Sequence, residues 1–342
     1  MKGKKGMSKP IYVGVDDGHY AIKVVTESGG MFTIPSRARS GRHLISWQEQ
    51  EENGGFYQTE EGGAYTVNEH LQNYEDTRFK EYPKSALNRV LVHHALRQAG
   101  FGGKNVVIAT GLPVSYYYLA NGRKDDALIA AKVANLTRAV TCGTKPVANI
   151  VRNMVATEAI AAYFDQLMDM EGNPTPQFDS LGEAVVGVID IGGKTTDCAV
   201  VYPGGEQVDA DRSGSSDTGV LLLNDAVESR LRSLFDLDNV PPRMVEAAIS
   251  KGVVKIAGEE KDVRDTVSAE KERLAEQIMS GVRTKIGTGK DLDFVLFVGG
   301  GAIVMRDQLS RHFPHCRFPE RPEFANARGM FKIAKYVFGG EE

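Results

Sequence analysis

The chain has 342 residues, of which 42% are hydrophobic and 25% are charged, and its formal net charge is −4. This length suits two domains of about 150 residues, each large enough to bury its own core. The slightly acidic balance argues against a general DNA-binding protein. No apolar window approaches the roughly 18 residues of a membrane span, so no membrane association is expected. Three widely spaced cysteines without metal-ligand spacing fit a reducing cytosol, which predicts a cytoplasmic protein.

The first predicted element is a hairpin over residues 11–25. An apolar strand runs into Asp16-Asp17-Gly18, a short polar turn follows, and the returning strand carries Lys23. The next strand is predicted over residues 31–35. Residues 1–10, which precede the hairpin, are basic and are expected to be flexible.

A basic segment follows at residues 36–44. It contains Arg37, Arg39, Arg42 and His43. As a nucleic-acid site it is weak, because it is short and lacks interleaved aromatic residues. We favour a surface loop that is either solvated or in contact with another subunit.

Strands and helices then alternate up to the middle of the chain. A hairpin is predicted over residues 54–67 and a helix over residues 83–100, where Pro83 suits the first turn and Gly100 ends it. The remaining predictions are strands at 105–110 and 147–151 and a helix at 126–133. Thr157 is placed to cap a helix that begins at Glu158.

The second hairpin, at residues 185–202, is the most informative stretch. Two apolar β-branched runs flank a tip of two glycines, two threonines and one lysine, with Asp190 and Asp197 at its ends. Adjacent glycines let backbone N–H groups approach an anion. A carboxylate that faces a phosphate must bind a cation or position water, because it would otherwise repel the phosphate. The alternative is an ordinary glycine-rich hairpin, but the first hairpin has the same pattern and therefore indicates a duplicated domain.

The last third adds a further ligand-binding pattern. A polar loop at residues 213–219 leads into a helix N-terminus, which is a natural anion site. Helices are predicted from Pro242 and over residues 266–286, separated by a charged, solvated run at 255–265. A buried strand at 294–298 then precedes Gly299-Gly300-Gly301, where the backbone can approach a flat ligand such as a nucleoside.

These three motifs, in this order, resemble the actin, sugar-kinase and heat-shock-chaperone ATPase superfamily across nearly the whole chain. The resemblance narrows at Val92-His93-His94-Ala95-Leu96 and at Gly111-Leu112-Pro113-Val114-Ser115-Tyr116-Tyr117. These two runs are similar to those of plasmid-segregation actin-like ATPases of the ParM (StbA) type. The resemblance implies an α/β protein with two ribonuclease-H-like (actin-like) domains and a nucleotide cleft between them. The expected domains are residues 1–153, with a C-terminal helix at 328–338 returning to them, and residues 154–327.

The resemblance also implies the roles of individual residues. Asp16 and Asp190 would bind Mg²⁺ mostly through water, with Asp17 as a further candidate. Glu158 would orient the attacking water, so Glu158, Asp190 and Asp16 form the expected catalytic set. The alternative for Glu158 is a helix-start carboxylate favoured by the macrodipole alone. The residues expected to contact the nucleotide are Asp17, Gly18, Lys23, Gly192, Gly193, Lys194, Thr195, Thr196, Gly219, Gly299, Gly300 and Gly301.

The implied function is an ATPase that polymerises into filaments to segregate low-copy plasmid DNA. ATP is the expected nucleotide, with GTP left open. The expected partners are further copies of the chain and a DNA-binding adaptor bound to a centromere-like site, because the acidic chain is not expected to bind DNA specifically by itself. The alternatives are a small-molecule kinase or a non-polymerising scaffold ATPase of the same fold. A chaperone-type ATPase would require an additional peptide-binding domain.

Overall fold

The computed structural model of the protein describes residues 10–43 and 54–339, so most of the predicted basic start of the chain lies outside the described residues. The elements up to the middle of the chain are β1 Ile11–Asp17, β2 Ala21–Thr26, β3 Met31–Pro35, β4 Ala38–Ser40, β5 Gly54–Thr59, β6 Ala64–Asn68, α1 Ala86–Leu96, β7 Asn105–Leu112, α2 Val114–Tyr117, α3 Asp126–Thr137, β8 Val140–Thr141, β9 Asn149–Thr157 and α4 Glu158–Leu167. The elements that follow are α5 Phe178–Gly182, β10 Val186–Ile191, β11 Thr196–Val201, β12 Val208–Ser216, α6 Leu221–Phe235, α7 Pro242–Lys251, β13 Val253–Ile256, β14 Glu259–Asp262, α8 Arg264–Ile286, β15 Phe294–Val298, α9 Gly300–Val304, α10 Arg306–Leu309, β16 Cys316–Arg317 and α11 Ala325–Lys332.

Two five-stranded sheets of the same design organise the chain. The first has the order β3-β2-β1-β7-β9 and the second the order β12-β11-β10-β15-β16. In each sheet the predicted hairpin is antiparallel, and its first strand pairs in parallel with a later strand of the same half. Each half also buries its own hydrophobic core. The α/β architecture and the duplication expected from the two hairpins are therefore present.

Helix α11 packs tightly against the first sheet and against α4. A side chain at Gly14 would place its Cβ 1.9 Å from the carbonyl oxygen of Ala327, and one at Gly329 would lie 1.7 Å from that of Ala161. Since real Cβ atoms do not approach oxygen so closely, both glycines are required for this packing. The helix begins at Ala325, before the predicted start at residue 328, and it returns to the first sheet as expected.

The basic segment at 36–44 was expected to be a surface loop, and this is wrong for its central part. Ala38–Ser40 forms strand β4, which pairs with β6 in a separate four-stranded sheet of order β4-β6-β5-β8. Ala38 is buried in the core, whereas Arg39 and Ser40 are exposed, so this short strand contributes one apolar side chain to the core. Leu44, at its end, lies outside the described residues.

The helix predicted over residues 83–100 is divided into three parts. Pro83 lies in a 3-10 turn, Tyr82–Lys84, and α1 begins only after Ser85. The Ser85 hydroxyl accepts a hydrogen bond from the Asn88 backbone N–H at 3.1 Å, which caps the helix at that point. A wider turn, Arg97–Phe101, ends the segment and contains Gly100 with a φ of 86°.

Three further segments differ from the sequence-based predictions, because strand pairing includes residues that lie outside the apolar runs. The strand predicted at 147–151 runs to Thr157, so the first sheet extends past the predicted domain boundary at residue 153. Most of the loop predicted at 213–219 belongs to β12, which pairs with β11 up to Ser216. The charged run at 255–265 is exposed for the most part, as expected, but it forms the hairpin β13–β14 and the start of α8.

Among the described helices, none combines the length and apolarity that crossing a membrane requires.

Candidate nucleotide site

The two predicted hairpins face each other across a cavity between the two sheets. Its volume is about 50 Å³. At roughly 10–15 Å³ for each water, this enclosed space between the hairpins holds only a few waters. The predicted residues that line the cavity are Asp16, Asp17, Gly18, Lys23, Glu158, Asp190, Gly192, Gly193, Lys194, Thr195 and Gly299. Thr196, Gly219, Gly300 and Gly301 are not in its lining.

Strand register places one aspartate of each hairpin at equivalent positions. Asp16 lies opposite Lys23, and the Lys23 Nζ donates to Asp16 Oδ2 at 3.0 Å. Asp190 lies opposite Asp197 in the second hairpin. The cross-strand partner is therefore a cation in the first hairpin and a second carboxylate in the other, so Asp190 has no lysine directly opposite it as Asp16 does.

Asp190 is buried and only half satisfied. Its Oδ2 accepts a hydrogen bond from Asn326 Nδ2 at 2.7 Å. Its Oδ1 is buried without a hydrogen-bond partner in the part of the chain that the structure describes. Burial, together with the negative charge of Asp16, raises the pKa of Asp190 to about 7. This carboxylate therefore requires a proton or a cation at neutral pH.

Asp17, the further metal candidate, is satisfied by the protein itself. Lys132 Nζ from α3 contacts Asp17 Oδ1 at 2.9 Å and Oδ2 at 2.8 Å. Asn88 Nδ2 also donates to Oδ2 at 2.9 Å. Both carboxylate oxygens are therefore engaged in a buried ion pair, an arrangement suited to holding the first hairpin against α1 and α3.

Glu158 begins α4 as predicted and projects to the cavity. The predicted cap is absent, because the Thr157 hydroxyl makes no capping hydrogen bond. A Cβ at Gly111 would lie 2.6 Å from Glu158 Cγ, so glycine there makes room for the glutamate. Burial, reinforced by the negative charges of Asp197, Asp16 and Asp190, raises the pKa of Glu158 well above its ordinary value. A raised pKa in a cleft is typical of functional carboxyl groups.

This raised pKa predicts a dependence of stability on pH. Because the folded-state pKa of Glu158 lies above its ordinary value of 4.5, the folded protein holds the proton more tightly than the unfolded chain does. Stability is therefore lost as the pH rises above that value. We expect thermal melts in EDTA to show a smaller loss between pH 5 and pH 8 for Glu158→Gln than for the parent. Equal losses would contradict the assignment of a raised pKa to this carboxyl group.

Asp197, which the assignments above do not include, is buried and supports the cavity without being in its lining. Its Oδ2 accepts from Thr195 Oγ1 at 3.0 Å, and its Oδ1 accepts from Ser215 Oγ and from the Val114 backbone N–H, the latter at 3.2 Å. Because Val114 begins α2, which follows β7 of the first sheet, Asp197 joins the two halves of the molecule. Burial raises the pKa of Asp197 to about 6.

The threonine and lysine side chains of the second hairpin are engaged within the protein. The Thr195 hydroxyl donates to Asp197 as above, and the Thr196 hydroxyl donates to the Thr218 carbonyl oxygen at 2.6 Å. Lys194 Nζ lies 3.2 Å from the hydroxyl oxygen of Tyr116, on α2. In this arrangement the hydroxyls hold the loop in shape, as does the Gly192 backbone N–H, which donates to the Thr195 carbonyl oxygen at 2.9 Å.

The helix N-terminus after residue 219 is not a free anion site. The backbone N–H groups of Val220 and Leu221 donate to the carbonyl oxygens of Gly192 and Gly193, at 3.0 Å and 2.9 Å. A Cβ at Gly219 would lie 2.4 Å from the Gly193 oxygen. Gly219 and the start of α6 therefore support the second hairpin from behind.

The three glycines after β15 have different environments. Gly299 has a φ of 83°, and a Cβ there would lie 2.3 Å from Asp190 Oδ1. Gly300 has no atom within 4 Å of an added Cβ, whereas one at Gly301 would lie 2.2 Å from Ile191 Cγ2. Gly299 therefore shapes the carboxylate site, Gly301 packs inside the protein, and Gly300 faces open space.

These environments predict that Gly299→Ala destabilises the protein and Gly300→Ala does not. The strain at a positive φ alone is on the order of 1–3 kcal/mol, and the contact with Asp190 adds to it. The free energy of unfolding from urea titrations measures both variants. A Gly299→Ala protein as stable as Gly300→Ala would contradict this account of the turn.

The carboxylates that line the cavity suit a Mg²⁺ ion that keeps most of its water ligands better than one bound by protein side chains alone. Among residues 10–43 and 54–339, no group of three or more His, Cys, Asp or Glu side chains could hold a metal ion. Mg²⁺ usually keeps several waters and takes only one or two protein carboxylates together with phosphate oxygens. Asp190, with its unpaired buried Oδ1, and Asp16 are the residues that fit this role.

Two family models match the chain and together include all three motifs. The model described as "Plasmid segregation protein ParM, N-terminal" matches residues 11–169. The model described as "Archaeal actin homologue MreB-like, C-terminal" matches residues 188–311. A search of curated proteins found no match to this sequence.

Solved structures with the same fold cover nearly the whole chain. A 15-stranded ParM filament from Clostridium botulinum is 18% identical with a TM-score of 0.75, covering 96% of this chain and 99% of that chain. An archaeal actin homologue in complex with ADP is 20% identical, with a TM-score of 0.73, and the match covers 95% of this chain and 99% of that one. Bacillus thuringiensis ParM with AMPPNP is 16% identical with a TM-score of 0.68, covering 97% of this chain and 100% of the other. These likenesses confirm the predicted two-domain actin fold.

Proposed function

Because the chain is a ParM-like protein with the actin fold, we propose that it is an ATPase that polymerises with bound ATP and segregates low-copy plasmid DNA. The observation that carries the proposal is the convergence of Asp16, Asp190 and Glu158 on one cavity between the two duplicated sheets. Solved relatives with ADP, with AMPPNP and in a filament support the same conclusion.

The proposed chemistry requires little beyond position and charge, as is usual for phosphoryl transfer. Mg²⁺ bound near Asp16 and Asp190 would neutralise charge on the phosphates. The Gly18, Gly192 and Gly193 backbone would approach the phosphate oxygens closely. Lys23 would add positive charge from the first hairpin, and Glu158 would orient the attacking water.

A change of the bound nucleotide would alter the relative position of the two halves, and this change would in turn affect the contacts between filament subunits. Arg37 pairs with Glu246 across the mouth of the cleft, and Arg78 Nη1 lies 2.5 Å from Asp225 Oδ2. Breaking or forming these pairs as the halves move would change the surface that a neighbouring subunit contacts.

An adaptor protein is proposed to hold the DNA. The basic segment offers little for DNA, because Arg37 pairs with Glu246 and the Arg42 guanidinium lies 4.2 Å from the Phe56 ring centroid. Duplex binding depends on many phosphate contacts and weakens steeply with salt. We expect a gel-shift titration with plasmid DNA at physiological salt to show only weak, non-selective binding. Tight, sequence-selective binding by this chain alone would contradict the adaptor proposal.

Light scattering combined with phosphate release tests the proposed function. Addition of Mg-ATP should raise scattering and then release phosphate, while ATP with EDTA should do neither. A parallel series with Mg-GTP decides the nucleotide preference. Phosphate transfer to an added sugar without any rise in scattering would favour the kinase alternative, and hydrolysis without scattering would favour the scaffold.

A further inference from the structure

Asn326, at the start of α11, is in direct contact with the second hairpin. The residue is buried, and its Nδ2 donates to Asp190 Oδ2 at 2.7 Å. The Oδ1 of Asn326 and the Oδ1 of Asp190 are both buried without a hydrogen-bond partner in the described residues. Two neighbouring side chains therefore share one hydrogen bond, and each keeps one acceptor oxygen open.

The direction of this hydrogen bond follows from chemistry. With a cation bound nearby, Asp190 is ionised and only accepts, so the amide then presents its N–H₂ group to Asp190 and its carbonyl oxygen elsewhere. Both residues line the cavity between the hairpins. Two unpaired acceptor oxygens on neighbouring cavity-lining side chains suit the water molecules of a hydrated cation, because each such water donates its hydrogens outward.

Side-chain ion pairs just after Asn326 anchor its helix. On the same helix, Arg328 contacts the buried Asp165 of α4 through Nε at 2.9 Å and Nη2 at 2.6 Å. Lys332 Nζ reaches the Oδ1 of Asp165 at 2.6 Å. Because Glu158 begins α4, this buried ion cluster fixes the helix of Asn326 relative to the helix of Glu158.

We propose that Asn326 is a positioning residue for the cation site, holding Asp190 Oδ2 so that Oδ1 faces the cleft and offering its own carbonyl oxygen to metal-bound water. This inference rests on the proposed function, since it concerns the Mg²⁺ that accompanies the nucleotide. Asn326 thereby sets the Mg²⁺ dependence of nucleotide binding while leaving the metal-free affinity unchanged.

Calorimetric titration with AMPPNP, at a series of Mg²⁺ concentrations and in EDTA, tests this role. For Asn326→Ala, the Mg²⁺ concentration that gives half of the maximal binding should rise about tenfold or more, the usual scale for a partner that orients a metal ligand. Binding in EDTA should equal that of the parent. If Asn326→Ala does not fold, the same titration is carried out with Asn326→Leu. This variant keeps the side-chain volume but lacks the amide.

Asn153→Ala is the matched control. Asn153 is also buried and accepts from Thr110 Oγ1 at 3.1 Å, but it does not line the cavity. Its Mg²⁺ dependence should be that of the parent. Equal weakening of binding with and without Mg²⁺ in the Asn326 variants, or the same shift in Asn153→Ala, would overturn the positioning role alone. A parent protein that binds no AMPPNP at any Mg²⁺ concentration would overturn the proposed function as well.

Discussion

Replacing Asp190 with alanine is expected to lower ATP turnover at least about tenfold, the rough scale for losing a group that positions a metal. Asp190 lines the cavity, and its buried Oδ1 has no hydrogen-bond partner within residues 10–43 and 54–339, so its removal takes away the ligand best placed for Mg²⁺. Phosphate release at saturating Mg-ATP measures the effect.

Asp217→Ala is the control for this experiment. Asp217 directly follows β12 of the same sheet, but its side chain is 82% exposed, and the Lys194 Nζ lies 3.8 Å from its Oδ1. We expect its turnover to match that of the parent. Unchanged turnover in Asp190→Ala would remove Asp190 from the metal site.

Replacing Glu158 with alanine should separate assembly from hydrolysis. Glu158 is proposed to orient water and not to hold the nucleotide, so filaments should form with ATP while hydrolysis falls about a hundredfold, within the range for a positioned acid or base. Filaments of this variant should persist long after those of the parent have disassembled. Light scattering follows the filaments, and phosphate release follows the chemistry.

Glu183→Ala supplies the comparison, because Glu183 is an exposed glutamate outside the cavity. It should assemble, hydrolyse and disassemble like the parent. Parental rates of phosphate release in Glu158→Ala would assign the water-orienting role to another residue.

Much of the fold can be predicted from the sequence, because its signals are local. The hairpins at β1–β2 and β10–β11 are apolar strands interrupted by short polar tips, and their similarity is visible without any long-range information. The fold predicted on this basis is confirmed by the solved structures. Strand lengths are less predictable, because β9 and β12 pair with neighbouring strands through residues that lie outside the predicted apolar runs.

The site is harder to predict, because its decisive contacts join distant parts of the chain. Lys132 lies in the middle of α3, and no local pattern indicates that its ammonium group would neutralise Asp17. Asn326 likewise reaches Asp190 only because α11 returns between the halves. Asp197 could have been found, because strand register places it opposite Asp190 as Lys23 is placed opposite Asp16.

The hydrogen-bond partners of the threonine hydroxyl groups also could not be predicted from the sequence. Thr195 and Thr196 have the residue type expected of phosphate ligands, yet their hydroxyls donate to Asp197 and to the Thr218 carbonyl oxygen. A buried donor takes the acceptor that the fold provides, and the residue type alone does not reveal which acceptor that is.

The most direct test of the central claim is negative-stain electron microscopy of the purified chain with Mg-ATP, with ATP in EDTA, and without nucleotide. We expect filaments with Mg-ATP and few or none in the other two samples. With Mg-ATP, the Glu158→Ala variant should form filaments that last longer than those of the parent. Single particles in every sample, at protein concentrations where nucleotide binding is saturated, would contradict the proposal that this protein is a filament-forming ATPase.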